Sequence, residues 1–279
     1  MKKDQLFTRR RILLVGATAA AGAAGAAGLL VPGDDEPADD GTGPAAGAPA
    51  RLPMKPSAYR LQPLTGYGPP SAAPDRVPVR REPLMSLPGR GRTMVLTFDD
   101  GPDPRYTPQI LDTLARYGVH AMFFVCGEMA VDHQELLARM ADEGHVVGNH
   151  TWSHPLLTQL SRRRIRSEMT RTSDVIETGY GERPRWFRAP YGAWNRAAFQ
   201  LGAELGMEPL AWTVDTLDWT TPGTRSIVDR VRQGAGPGVV ILSHDAGGDR
   251  SQSVKALRRY LPELLDSGYQ ITVPRRQHT

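Results

Sequence analysis

The sequence is poor in cysteine, in aromatic residues and in any imbalance of charge. Its one cysteine, Cys126, excludes an internal disulfide, so the fold must be held by a packed core. That thiol ends the apolar run Ala121-Met122-Phe123-Phe124-Val125 and reads as a small core side chain rather than a nucleophile. The formal net charge is only +4 over 279 residues, and no basic region alternates with stacking aromatics. No nucleic-acid partner is expected from that pattern. The one basic cluster, Arg162, Arg163, Arg164 and Arg166, falls in a helical segment. A solvated helix face is the favoured reading, and contact with an anionic wall polymer the alternative. No internal repeat is present. Charged residues at 23% and apolar residues at 40% are ordinary for a globular domain, and the length leaves room for a tail beside it.

That tail is visible at the N-terminus. Thr8-Arg9-Arg10-Arg11-Ile12-Leu13-Leu14 opens an Ala/Gly-rich stretch that reaches Leu29, Leu30 and Val31. A basic flank followed by an apolar stretch predicts an export signal over residues 1–31, and the arginine pair is similar to a twin-arginine signal. Residues 12–31 are just long enough to act as a membrane tether instead. Small residues at Ala24, Ala26 and Ala27 offer a cleavage site, and the missing cysteine excludes lipid attachment there. The protein is therefore expected to be exported, either secreted or held at the cell envelope. Residues 32–90 are rich in Pro, Gly and Ala and lack a hydrophobic period. They read as a linker that buries too little apolar surface to offset its ordering entropy. The remaining 91–279 is expected to be a monomeric catalytic domain.

In that domain strand and helix patterns alternate. Apolar runs at 94–98, 121–125, 145–149, 186–188, 209–214, 239–243 and 270–273 read as strands. Helical spacing covers 107–117, 134–141, 161–178, 195–205, 224–232 and 251–265, with Ser161 and Asn195 as caps. Such alternation implies an α/β fold with a parallel sheet. About seven units predict a closed or nearly closed (β/α) barrel, with an open doubly wound sheet as the alternative.

Sites in parallel α/β folds lie at the carboxyl ends of strands, and the unusual polar residues fall there. His150 and His154 are four apart, a spacing that turns both rings to one point if the segment is helical. Two imidazoles and a carboxylate make three metal ligands and leave a position open for water, which suits zinc, with cobalt or nickel as substitutes. Asp99 and Asp100 are adjacent carboxylates whose repulsion a cation would relieve. One of them can bind the metal while the other accepts a proton from water. Arg188 can hold that second carboxylate ionised. His244 ends the most apolar strand and is a candidate acid, provided a carboxylate such as Asp215 or Asp218 keeps it protonated. Trp219 and Tyr191 are candidate walls for a sugar-binding groove.

Taken together these segments resemble the polysaccharide deacetylase domain of the NodB-homology type, carbohydrate esterase family four. Thr97-Phe98-Asp99-Asp100-Gly101, His150-Thr151-Trp152-Ser153-His154, Arg188-Ala189-Pro190-Tyr191, Asp215-Thr216-Leu217-Asp218-Trp219 and Leu242-Ser243-His244 are similar to its five motifs, in order. The resemblance implies a distorted (β/α) barrel with fewer than eight strands. It implies Asp99 as base, Asp100, His150 and His154 as metal ligands, and Arg188 steadying the base. It further implies that the Tyr191 N–H aids the oxyanion, that Leu242 shapes the acetyl-methyl pocket, and that His244 is the acid, tuned from the Asp215–Trp219 motif, with Asp218 the favoured partner. The expected reaction is metal-dependent removal of acetyl groups from an N-acetylated extracellular glycan, the N-acetylglucosamine of peptidoglycan first and chitin oligomers second. The alternatives are an O-acetyl esterase acting on xylan and a wall-binding module without catalysis.

Overall fold

The computed structural model describes residues 77–87 and 91–274. The signal expected over 1–31, and residues 32–76 and 88–90 of the linker expected over 32–90, lie outside the described residues. Among those described, no helix is long and apolar enough to cross a membrane.

Among the described residues, eight strands and seven α-helices follow one another. The strands are β1 (Thr93–Asp99), β2 (Met122–Val125), β3 (Val146–Asn149), β4 (Trp186–Phe187), β5 (Glu208–Pro209), β6 (Val214–Asp215), β7 (Val240–His244) and β8 (Gln270–Ile271). The helices are α1 (Thr107–Arg116), α2 (Gly127–Asp132), α3 (Gln134–Asp142), α4 (Arg162–Tyr180), α5 (Arg196–Glu204), α6 (Thr224–Gly234) and α7 (Ser251–Asp266). The sheet order is β5-β4-β3-β2-β1-β7-β6, with β8 against the start of β1, and every pairing between these strands is parallel. The two ends of that path, β5 and β6, are neighbours in sequence. One short segment thus joins both edges, and the sheet curls into the expected incomplete barrel rather than a doubly wound sheet.

Alternation along β1 sorts its side chains. Met94, Leu96 and Phe98 face outward and pack with Ile110, Leu111 and Leu114 of α1 and Leu257 and Leu261 of α7. Val95 faces inward with Met122, Phe124, Leu210 and Val240. A strand buried on both faces reads as a continuous apolar run, which is why β1 was legible. Each fully buried leucine of the outer layer stabilises by about 1.5–3 kcal/mol. The inward column continues through Thr97 to Asp99, so the period of two carries a carboxylate to the barrel mouth.

Ser161 caps α4 by accepting from Arg164 N, and Gly181 ends it with φ 89°, as a left-handed C-cap requires. Asn195 caps α5 through Ala198 N at 2.8 Å. The basic run on α4 is an ion-paired surface, because Arg162 and Arg166 both reach Glu204 of α5. Cys126 is buried, and burial pushes its thiol well above the ordinary range.

Two expectations need correction. The single strand expected over 209–214 is two, because Leu210–Thr213 leaves the β4 side and joins β7. Pro209 has no N–H to give, and the carbonyls of Leu210 and Ala211 accept from Arg188. In addition, the end of the expected linker pairs with the sheet. Leu84 N donates to Pro209 O, Ala211 N donates to Leu84 O, and Leu87 N donates to Gly238 O. Both leucines pack on the inner cluster, and Arg80 pairs with Glu208. This strap crosses the seam and supports the segment that carries the Arg188 acceptors. A chain begun at residue 91 loses it, at a cost of about 1–3 kcal/mol for two half-buried leucines. The expected result is a melting temperature about 3–10 °C below that of the full chain. Equal melting of the two would show that the strap is only decoration.

Candidate active site

Asp99 sits at the end of β1, in register with His244 at the end of β7. Its Oδ1 accepts from Arg188 Nη1 at 2.7 Å. Arg188 is fully buried, and every donor atom of its guanidinium is used. Nη1 also reaches Thr97 Oγ1 at 2.8 Å, Nε reaches Leu210 O at 3.0 Å, and Nη2 reaches Ala211 O at 2.8 Å. The guanidinium stacks on Phe124 at 4.1 Å. A buried cation is tolerable only with a partner and satisfied donors, and Asp99 is that partner. The other oxygen of Asp99 faces His150 Nε2 at 3.7 Å.

Asp100, His150 and His154 place one ligand atom each within 4.8 Å of one another, a group that can hold a metal ion. Asp100 Oδ1 lies 3.5 Å from His150 Nε2 and 3.3 Å from His154 Nε2. It is buried and has no hydrogen-bond partner, an orphaned acceptor between two rings that a cation would satisfy. Burial pushes this carboxyl up, but the facing His150, with His244 and His154, holds it at about 2. Burial and the neighbouring His150 push His154 down, which favours the neutral ring a metal needs. His150 Nδ1 lies 2.8 Å from Arg188 O; donating there fixes the tautomer and leaves Nε2 free for a ligand bond.

The two histidines do not share a helical turn. They stand on a loop whose backbone is left-handed at Thr151 (φ 71°) and His154 (φ 54°). Glu168, buried on the inner face of α4, holds that loop. Its Oε2 accepts from Trp152 N at 3.1 Å and Ser153 N at 2.9 Å. Asn149 adds a bond from Thr151 N at 2.8 Å.

The remaining predicted residues converge on the same mouth. His244 Nδ1 lies 2.7 Å from Asp218 Oδ1, while Asp218 Oδ2 accepts from His244 N at 2.9 Å and Ser253 Oγ at 2.6 Å. Burial lowers the His244 pKa, but the Asp218 carboxylate outweighs it and raises it to about 9. Asp218 is thus the partner. Asp215 accepts from Leu217 N instead, and burial pushes its carboxyl up. A cavity of about 430 Å³ is lined by Asp99, Asp100, His150, His154, Tyr191, Asp215, Trp219, Leu242 and His244 among others. Arg188 and Asp218 stand behind it. Tyr191 and Trp219 are 68% and 55% exposed on that lining. Tyr191 has φ 61°, and its N–H takes no part in the backbone bonds from Gly192 to Ala189 O and from Ala193 to Pro190 O.

The polysaccharide deacetylase family model matches residues 87–210. The chain is 40% identical over 188 residues to a chitooligosaccharide deacetylase of Sinorhizobium fredii, covering 63% of this chain and 87% of that protein. The chain belongs to the polysaccharide deacetylase family. It is also 43% identical over 180 residues to the peptidoglycan-N-acetylmuramic acid deacetylase PdaC of Bacillus subtilis. That match covers 64% of this chain but only 37% of the longer relative. Among solved structures, the family 4 carbohydrate esterase from Streptomyces lividans in complex with acetate superposes with a TM-score of 0.63 at 33% identity, covering 67% and 95% of the two chains.

Beyond the motifs that mark the family, the sequence reading gave no role to three buried residues. Glu168 was visible only as a charge on the apolar face marked by Ile165, Met169, Thr172 and Ile176. Asp245, next to His244, accepts from Thr107 Oγ1 at 2.5 Å, and burial pushes its carboxyl up to about 7. It packs so tightly on Gly101 that a Cβ there would come within 2.2 Å of it. Arg250 lines the cavity and gave no periodic signal. Of the three, Glu168 has the plainest consequence for this deacetylase. Glu168→Ala is expected to weaken the affinity of the Asp100, His150 and His154 group for added zinc about 10–100-fold, the usual effect of removing support from behind a ligand. Competition against a zinc-sensitive dye reads this. Unchanged affinity with an intact fold would remove Glu168 from that role.

Proposed function

We propose that this chain hydrolyses acetamide groups on an N-acetylated cell-envelope glycan, releasing acetate and leaving a free amine on the sugar. The observation that carries the reading is one cavity holding a three-ligand group, an Arg-paired carboxylate and an Asp-paired histidine. The first relatives act, by name, on peptidoglycan and on chitooligosaccharides, and peptidoglycan is the first choice here. Asp100, His150 and His154 fit zinc, with cobalt or nickel as substitutes, and such an ion supplies a Lewis acid and an acidified water when bound. Asp99 accepts the proton of the attacking water on the oxygen that Arg188 leaves free. The Tyr191 N–H donates to the developing oxyanion, a contribution of about 3 kcal/mol in comparable sites. Leu242 packs against the acetyl methyl. His244 gives its Nε2 proton to the departing amine, and Asp218 keeps that proton available.

An ester reading rests on the likeness to the Streptomyces lividans esterase. The amide is favoured because an amine leaves only once protonated, and the Asp218 pairing holds His244 ready as an acid. The signal-like N-terminus supports export, and the chain is taken to act as a monomer. Acetate release by the full chain, with and without a chelator, on N-acetylated peptidoglycan, chitin oligomers and acetylxylan tests the reading. Chelator-sensitive release from either N-acetylated glycan is expected. Release from acetylxylan alone would make the chain an esterase, and none at all would sink the proposal.

A further inference from the structure

Arg250, which precedes α7, is 3% exposed and lines the catalytic cavity. Its guanidinium meets only main-chain oxygens. Nε donates to Ala246 O at 2.6 Å, Nη2 to Gly247 O at 2.7 Å, and Nη1 to Asp218 O and Asp249 O at 3.4 Å each. Among the described residues it has no ion pair. Four of its five N–H donors are engaged, which leaves one on Nη2 without a partner. The contrast with Arg188 is direct: both are buried, and only Arg188 faces a carboxylate.

The approach to Nη2 is kept open. Gly248 has φ 141°, and a Cβ there would come within 3.3 Å of Arg250 Nη2. Its neighbour Gly247, with φ 73°, would bring a Cβ within 2.6 Å of Asp100. Gly247 therefore lines the cavity between Asp100 and the guanidinium, and Gly248 beside it puts no side chain against Nη2. The acids nearby are already committed, Asp99 to Arg188 and Asp218 to His244. The adjacent Asp249 is the acid that feels the Arg250 charge, but it is exposed, accepts from Ser251 N and forms no ion pair with it. A buried cation so weakly countered is costly, and a ligand anion relieves that cost.

We propose that Arg250 recognises a carboxylate on the substrate, so that the preferred sugar is an acetamido sugar with an acidic substituent, such as the 3-O-lactyl group of an N-acetylmuramoyl residue. This rests on the deacetylase reading. The test compares kcat/KM on N-acetylmuramoyl oligosaccharides bearing a free lactyl carboxylate with the same oligosaccharides converted to the lactyl amide, and with chitin oligomers. The free acid is expected to be favoured about 10–100-fold over the amide, the range of a charge-assisted hydrogen bond. Arg250→Gln is expected to bring that ratio to within about twofold. A merely structural Arg250 would lower both rates together and leave the ratio unchanged. Equal rates on acid and amide, or hydrolysis of chitin oligomers alone, would overturn the inference while the deacetylase reading stands. Hydrolysis of none of the three would take the deacetylase reading down with it.

Discussion

Asp99→Asn lowers kcat for acetate release about 10²–10⁴-fold, the usual loss when a general base is removed. The amide has the shape of the carboxylate but cannot accept the proton. It also leaves the Arg188 cation unpaired in a fully buried site, and breaking such a pair costs about 3–5 kcal/mol. The variant should therefore melt well below the wild type. Its remaining bonds to Thr97, Leu210 and Ala211 keep Arg188 in place. The rate must be read below the variant's own melting range, with circular dichroism showing a native fold and zinc binding retained. A folded, zinc-bound variant within tenfold of wild-type kcat would remove Asp99 from the role of base.

The second large effect concerns pH. His244 is held at about 9 by Asp218 against the pull of burial. An acid with that pKa keeps activity level through neutrality and loses it as pH rises through about 9. In Asp218→Asn the hydrogen bond and the nearest charge are gone, and burial is opposed only by Asp99 and Asp100. The alkaline limb of kcat/KM then moves down from about 9 toward the ordinary histidine range, and activity at pH 8 drops about tenfold. The same pair contributes stability with a definite sign. Because the folded pKa is raised, the contribution is complete below 6.5 and is lost as pH rises from there through about 9. Melting curves of wild type and Asp218→Asn should therefore converge toward alkaline pH. An unmoved limb in the variant would mean that another group supplies the proton.

Much of the site was legible because parallel sheets collect their chemistry at strand ends. Asp99, His150, Arg188 and His244 each follow or end an apolar run, and a period of two decides which of them point inward. The strands that proved least regular were those the site had recruited. Leu210–Thr213 reads as strand, yet it spends its carbonyls on Arg188. The His150–His154 loop suggested a helical turn by its spacing, while Glu168, eighteen residues after His150, bends it otherwise. No local pattern reveals a contact of that kind, since α4 must first fold back on β3. The strap at Leu84 and Leu87 was missed for a related reason. Two leucines among prolines and charges carry no period, and their partners lie on segments at 209–211 and 238.

The backbone around the cavity is left-handed at five non-glycine positions, Asp100, Thr151, His154, Tyr191 and Leu217. Each such residue costs on the order of 1–3 kcal/mol, held by the rest of the domain. Glycine or asparagine would relax most of that strain, which makes these positions attractive to any screen that selects for heat resistance alone. At Asp100 and His154 the same exchange deletes a proposed metal ligand, and at Tyr191 it deletes an exposed ring that lines the cavity. Laboratory selection for robustness would thus erode the rim first, unless turnover is selected alongside it. Effort toward a hardier catalyst belongs instead on the outer helices and on the strap, where no residue serves two masters.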